Sequence, residues 1–149
     1  MNLSTLNQPK QINLLLVDDD PGDVELTLEI MDLSKLKLDI QVVSDGVEAL
    51  EYLNRTGDYT EASTPDLILL DLNMPRKNGR EVLDYIKKDE DLKKIPVVVL
   101  TTSSSEEDIE KTYNLGASCY ITKPVGLEEF QKVVKAFDEF WFTVVKYPA

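Results

Sequence analysis

The chain has 149 residues, with 16 Lys and Arg against 28 Asp and Glu, and a formal net charge of −12. This length suits one domain with a substantial core and leaves no room for a second domain. The acidic excess would repel a phosphate backbone and so argues against nucleic-acid binding. No apolar stretch approaches the roughly 20 residues of a membrane span, and residues 1–10 lack a signal-peptide layout, so we expect no membrane contact and a cytoplasmic protein.

Apolar strands and amphipathic helices alternate along the chain. Polar residues 1–10 are expected to be flexible, and a strand follows at about 12–17. Asp20 and Pro21 then provide the cap and first position of a helix. Helical spacing predicts its core face: Val24, Leu28 and Met31.

The same alternation continues to the end of the chain. A strand at 40–43 precedes a helix, 55–65 is a polar loop, and Asn78 and Gly79 form a turn before the next helix. Pro96 precedes the fourth strand, and a fifth strand and a long final helix follow. The predicted core residues of the second and third helices are Val47, Leu50, Leu53, Val82, Leu83 and Ile86. The lone cysteine, Cys119, is interpreted as a small core residue of the fifth strand.

Four of the apolar runs are short, do not alternate with polar residues, and end in polar side chains. Such runs are typical of parallel strands buried on both faces, and strands alternating with helices predict a right-handed, doubly wound α/β sheet. Ligands of such sheets bind beyond the carboxyl ends of the strands. We therefore expect the carboxylates, hydroxyl and ammonium that follow these strands to meet at one edge.

Histidine is absent from the sequence. A Ser-His-Asp or Cys-His site is therefore excluded, and zinc would be left with poor ligands. Any bound metal should be a hard cation held by oxygens, with Mg²⁺ favoured over Ca²⁺ where phosphate is handled.

The polar strand ends resemble those of the response-regulator receiver domain, the phospho-accepting half of two-component signalling. The match consists of Asp18-Asp19, Asp71, Thr101 and Lys123-Pro124, whose separations fit the family layout over about residues 12–140. The resemblance implies a single receiver domain over residues 1–149, with 140–149 extending the last helix. It also implies a flavodoxin-like (βα)5 fold with five parallel strands in the order 2-1-3-4-5.

The resemblance also assigns a role to each matching residue. Asp71 would accept the phosphoryl group and Lys123 would pair with one of its oxygens. Asp19, Asp71 and the main-chain carbonyl of Asn73 would bind Mg²⁺ directly, and Asp18 would act at this metal site mainly through a metal-bound water. Thr101 and Tyr120 would form the conformational switch. The protein would assist its own phosphorylation and dephosphorylation, as a signalling protein rather than an enzyme.

The expected partners follow from the same resemblance. Because the chain has no histidine, the phosphoryl group must come from a separate sensor histidine kinase. With no output domain expected after residue 149, the output should be a protein–protein contact or relay of the phosphoryl group to another carrier. One subgroup of the family, the regulators that partner bacterial phytochromes, is similar to this chain in three segments: the aromatic residues Phe140, Trp141 and Phe142, the loop around Gly57–Tyr59, and Gly79–Leu83. Those regulators dimerise through the face that carries the aromatic residues. We expect this aromatic surface to form a homodimer interface. The alternative is that the aromatic residues fold back onto the domain's own core.

Two other functions fit parts of the pattern. Asp18-Asp19-Asp20 satisfies the Asp-x-Asp signature of Mg²⁺-dependent haloacid-dehalogenase-type phosphohydrolases, in which Asp18 would be the nucleophile; the chain has little space for the cap insertion that this class normally carries. A receiver that binds partners without being phosphorylated is the other alternative, although every site residue is present.

Overall fold

The computed structural model describes residues 11–32, 38–72, 79–101 and 119–122, and of Ile30, Thr101 and residues 119–122 it describes the backbone. The strands are β1 (Ile12–Val17), β2 (Leu38–Val43), β3 (Leu67–Asp71), β4 (Val97–Thr101) and β5 (Cys119–Thr122). The α-helices are α1 (Pro21–Met31), α2 (Gly46–Asn54) and α3 (Gly79–Lys88). Two short 3-10 helices lie at Gly57–Tyr59 and Leu92–Lys94.

The five strands form one parallel sheet in the order β2-β1-β3-β4-β5. This order confirms the predicted doubly wound, flavodoxin-like sheet. β3 is the central strand, with β1 and β4 as its neighbours. Its apolar residues are fully buried because helices cover both faces of the sheet.

Alternate residues of the strands contribute to two separate apolar layers. One layer joins Leu14, Leu16, Leu67, Leu69, Val98 and Leu100 to Met31 of α1. The other joins Leu15, Val17, Ile68, Leu70, Val97 and Val99 to the buried faces of α2 and α3. Each fully buried Leu, Ile or Val contributes roughly 1.5–3 kcal/mol of transfer free energy. Val82, Leu83 and Ile86 of α3 are buried as predicted.

The buried face of α2 differs from the prediction. Leu53 is buried and the half-buried Leu50 packs against the core, but Val47 is only half-buried and outside the core cluster, which instead includes Ala49 and Tyr52. Burial accordingly raises the pKa of Tyr52.

The segment 55–65, predicted to be a polar loop, contains a 3-10 helix that packs onto α2. The rings of Tyr52 and Tyr59 lie with their centroids 5.2 Å apart at 60°, and the Tyr59 hydroxyl donates to the Glu48 carboxylate. This hydrogen bond, with burial, raises the pKa of Tyr59 to about 12. The same Glu48 carboxylate accepts from the Ser44 amide at 3.1 Å, so the segment is tied to the loop that follows β2.

No helix within the described ranges is long and apolar enough to cross a membrane.

Candidate functional site

Asp18 and Asp71 lie side by side at the carboxyl edge of the sheet. Val17 of β1 is in register with Leu70 of β3, so the residues that follow them reach the same level of neighbouring strands. Asp18 is 1% exposed and Asp71 is 4% exposed, whereas Asp19 is exposed. The predicted convergence of these two strand ends is therefore observed.

Three carboxylates meet at this edge. Asp18, Asp19 and Asp71 each offer one oxygen, and these oxygens all lie within 4.8 Å of one another. Among the described residues this is the one group of three or more acidic side chains that could hold a metal ion. At 4.8 Å each pair of charges repels by about 1 kcal/mol at a dielectric of 80 and about 3.5 kcal/mol at 20. A bound cation would offset this repulsion.

The donor chemistry fits Mg²⁺. All three ligand atoms are hard carboxylate oxygens, and the exposed Asp19 leaves part of the site open to water. Mg²⁺ prefers oxygen ligands and usually keeps several waters.

Asp20, the third of the adjacent aspartates, has a different structural role. Oδ1 of Asp20 accepts from the amides of Gly22 at 2.9 Å and Asp23 at 3.1 Å. It therefore caps the N-terminus of α1, as the sequence predicted. Asp20's own amide donates to Oδ1 of Asp18 at 3.0 Å, and the Asp18 amide donates to the Val43 carbonyl at 3.1 Å. These bonds fix the loop after β1.

The backbone that carries Asp71 is held on two sides. Beyond Asp71, the Leu72 amide donates to the Leu100 carbonyl at 3.0 Å. The Leu72 carbonyl accepts from the Gly79 amide at 3.0 Å. Leu72 is thus bonded both to β4 and to the first residue of α3. The sequence had indicated Gly79 as part of a turn and of the segment Gly79–Leu83, but nothing local to residue 79 shows which backbone it contacts.

The remaining predicted site residues are described in part or not at all. Thr101 is the last residue of β4, one position beyond Leu100, the register partner of Asp71, and Tyr120 pairs with Val99. The side chains of Thr101 and Tyr120 lie outside the description, as do the residues Asn73, Lys123, Phe140, Trp141 and Phe142. The side chain of Cys119 also lies outside it. The functions assigned to all these residues stay predictions.

Comparison with known proteins agrees with this geometry. The response regulator receiver domain family matches residues 14–135. Response regulator Rcp1 of Synechocystis sp. is 44% identical over 143 residues, which cover 96% of each chain. The crystal structure of the phosphorylated cyanobacterial phytochrome response regulator RcpA is 47% identical, with a TM-score of 0.80 over 90% of this chain and 96% of that chain. The Mn²⁺-bound form of Rcp1 is 43% identical, with a TM-score of 0.79 over 93% and 99%.

The family match spans most of the chain, and the similarity to Rcp1 spans nearly all of it. The structural similarity to RcpA and Rcp1 extends over about nine-tenths of the chain. The chain therefore belongs to the response regulator receiver domain family and is a signalling protein.

Proposed function

We propose that this protein is a phospho-accepting response regulator in which Asp71 receives a phosphoryl group from a partner histidine kinase, with Mg²⁺ as cofactor. Phosphorylation would switch a protein-interaction surface, in phytochrome signalling in the cytoplasm. The observation that carries the proposal is the cluster of Asp18, Asp19 and Asp71, with ligand oxygens within 4.8 Å of one another. The similarity of the chain to RcpA, whose structure was solved in a phosphorylated form, supports the proposal.

The chemistry begins at the carboxylate of Asp71. One of its oxygens attacks the phosphorus of the donor, the bond from phosphorus to the donor's leaving group breaks, and an acyl phosphate forms on Asp71. Asp71 is almost fully buried, and the exposed Asp19 beside it leaves that side of the acidic cluster open to the donor. Lys123 would pair with a phosphoryl oxygen, and Thr101 would turn toward the phosphoryl group.

Asp18, Asp19 and Asp71 would hold the Mg²⁺, with the main-chain carbonyl of Asn73 as a further ligand. When bound, the ion would offset the negative charge of both the carboxylates and the phosphoryl oxygens. The Mn²⁺-bound form of the similar Rcp1 supports a divalent cation in this protein.

The proposed partners are a bacterial phytochrome kinase, as donor, and a second copy of this chain. The phytochrome assignment is supported by the similarity to RcpA, a cyanobacterial phytochrome response regulator. The homodimer is inferred from the aromatic sequence Phe140-Trp141-Phe142. Light scattering of the wild type and of Trp141→Ala tests it: a wild-type dimer that becomes a monomer in the variant supports the proposal, whereas a monomeric wild type contradicts it.

Intact-mass spectrometry after incubation with acetyl phosphate and Mg²⁺ tests the acceptor. We expect one added phosphoryl group on the wild type, none on Asp71→Asn, and one on the matched control Asp91→Asn. Asp91 is an exposed carboxylate outside the acidic cluster, and its side chain makes no capping hydrogen bond. A wild type that stays unmodified, when a known receiver is modified in parallel, would instead favour a phosphorylation-independent binding module.

The same measurement separates the proposal from the phosphohydrolase alternative. If Asp18 were the nucleophile, the adduct would survive in Asp71→Asn and disappear in Asp18→Asn. The capping bonds of Asp20 agree better with the receiver, since the second carboxylate of Asp-x-Asp is bonded to the amides of Gly22 and Asp23.

A further inference from the structure

Gly79 lies directly against the backbone of the phosphoacceptor. A Cβ atom built on Gly79 would lie 2.3 Å from the carbonyl oxygen of Asp71 and 2.5 Å from the Cα of Leu72. Non-bonded heavy atoms in contact prefer about 3.5 Å or more. The atoms in the way belong to the backbone, so no side-chain rotation can relieve the overlap.

The two contacting segments cannot easily separate. The Gly79 amide donates to the Leu72 carbonyl at 3.0 Å, and the Leu72 amide donates to the Leu100 carbonyl at 3.0 Å. Behind Gly79, the first turn of α3 is held in the core by Val82, which is fully buried. The peptide of Asp71 and Leu72 is thus enclosed between β4 on one side and the start of α3 on the other.

We propose that Gly79 is a positioning residue for phosphorylation, because its close contact with the Asp71 peptide fixes where the Asp71 carboxylate lies relative to Asp18 and Asp19. A methyl group at residue 79 would displace the Asp71 peptide by roughly 1 Å, the difference between the built contact and an ordinary one. Misplacement of a reacting group by 1 Å can cost on the order of 100-fold in rate. This inference rests on the proposed function of Asp71.

Gly79→Ala tests the inference, with Gly57→Ala as the matched control. Gly57 has φ +59, so alanine is strained there as well, but Gly57 lies in the segment that packs onto α2. The phosphorylation rate with acetyl phosphate is measured at saturating Mg²⁺ and divided by the folded fraction from circular dichroism. We expect Gly79→Ala to lose on the order of 100-fold in this maximal rate, and Gly57→Ala to keep the wild-type rate.

A second pair of variants decides the question if Gly79→Ala does not fold. Val82 and Ile86 of α3 are both fully buried in the same apolar layer. Ile86→Ala removes more apolar volume and should destabilise the protein more. Val82→Ala instead loosens the turn that carries Gly79, so it should have the slower phosphorylation per folded molecule. Ile86→Ala should therefore be the less stable variant, whereas Val82→Ala should be the more slowly phosphorylated one.

Two results would overturn the inference: a Gly79→Ala rate equal to that of Gly57→Ala, or rates of Val82→Ala and Ile86→Ala that simply follow their stabilities. In either case the wild type is still phosphorylated, so the proposed function stands. A wild type that accepts no phosphoryl group rejects the proposed function and with it the role of Gly79.

Discussion

Replacing Asp71 with asparagine should stabilise the protein when no divalent cation is present. The variant removes two of the three pairwise repulsions among Asp18, Asp19 and Asp71, whose ligand oxygens lie within 4.8 Å of one another. Each repulsion amounts to about 1 kcal/mol in a water-like dielectric and about 3.5 kcal/mol at a dielectric of 20. Because Asp19 is exposed, its pair with Asp71 belongs near the lower value. Relief of the two repulsions is therefore worth about 2 kcal/mol, which raises the Tm by about 4 °C for a chain of this length.

Mg²⁺ should reverse this order. A free Mg²⁺ concentration one hundred times the Kd would stabilise the wild type by about 2.7 kcal/mol, which exceeds the gain of about 2 kcal/mol that the variant has without the ion. Asp71→Asn lacks one of the three ligands and should gain much less. The assay is thermal unfolding followed by circular dichroism, first in EDTA and then across a Mg²⁺ titration.

Asp91→Asn is the control, because it changes the net charge by the same amount at an exposed carboxylate outside the cluster. Its Tm should follow that of the wild type in both conditions. The electrostatic reasoning fails if Asp71→Asn melts at or below the wild type in EDTA, or if both asparagine variants gain equally from Mg²⁺.

Three further predictions concern hydrogen bonds elsewhere in the fold. Asp45→Ala should cost about 1 kcal/mol, since Oδ1 of Asp45 caps α2 by accepting from the Glu48 amide at 2.8 Å; Asp45→Asn should unfold in urea close to the wild type. The pKa of Tyr59 is raised from 10.0 to about 12, so its contribution to stability is complete below pH 10 and lost as the pH rises from 10 to about 12. Tyr59→Phe should flatten the fall in urea midpoint over that range, and an unchanged slope would contradict the assignment. Asp66→Ala should lower the urea midpoint by losing the bond from the Asn13 amide to Oδ2 at 2.9 Å, while Asp66→Asn should keep most of it.

The sequence predicted the sheet and the acidic site because both depend on strand ends. Apolar runs such as Leu67–Leu70 can be recognised as buried strands, and the topology of a parallel sheet then brings Asp18 and Asp71 to one edge. The predicted ends of the elements were less accurate, since β2 begins at Leu38 and not at Ile40. As β2 is an edge strand of the sheet, polar Asp39 is tolerated there.

Contacts between side chains distant in sequence could not be predicted in this way. Tyr52 lies in the core, with the ring of Tyr59 beside it. The prediction named Val47 and Leu50 instead, because their helical spacing is equally regular. The contact of Gly79 with the Asp71 carbonyl likewise depends on how closely α3 approaches β3, which no local pattern records.

The central position of β3 determines which parts of the backbone could change conformation after phosphorylation of Asp71. All five residues of β3 are buried between β1 and β4, and the bond from the Leu72 amide to the Leu100 carbonyl extends the pairing one residue beyond Asp71. Backbone of this kind opens only with global unfolding, whereas segments of low local stability are the ones that move. Amide exchange after phosphorylation should therefore change least in β3, the strand that carries the modified residue.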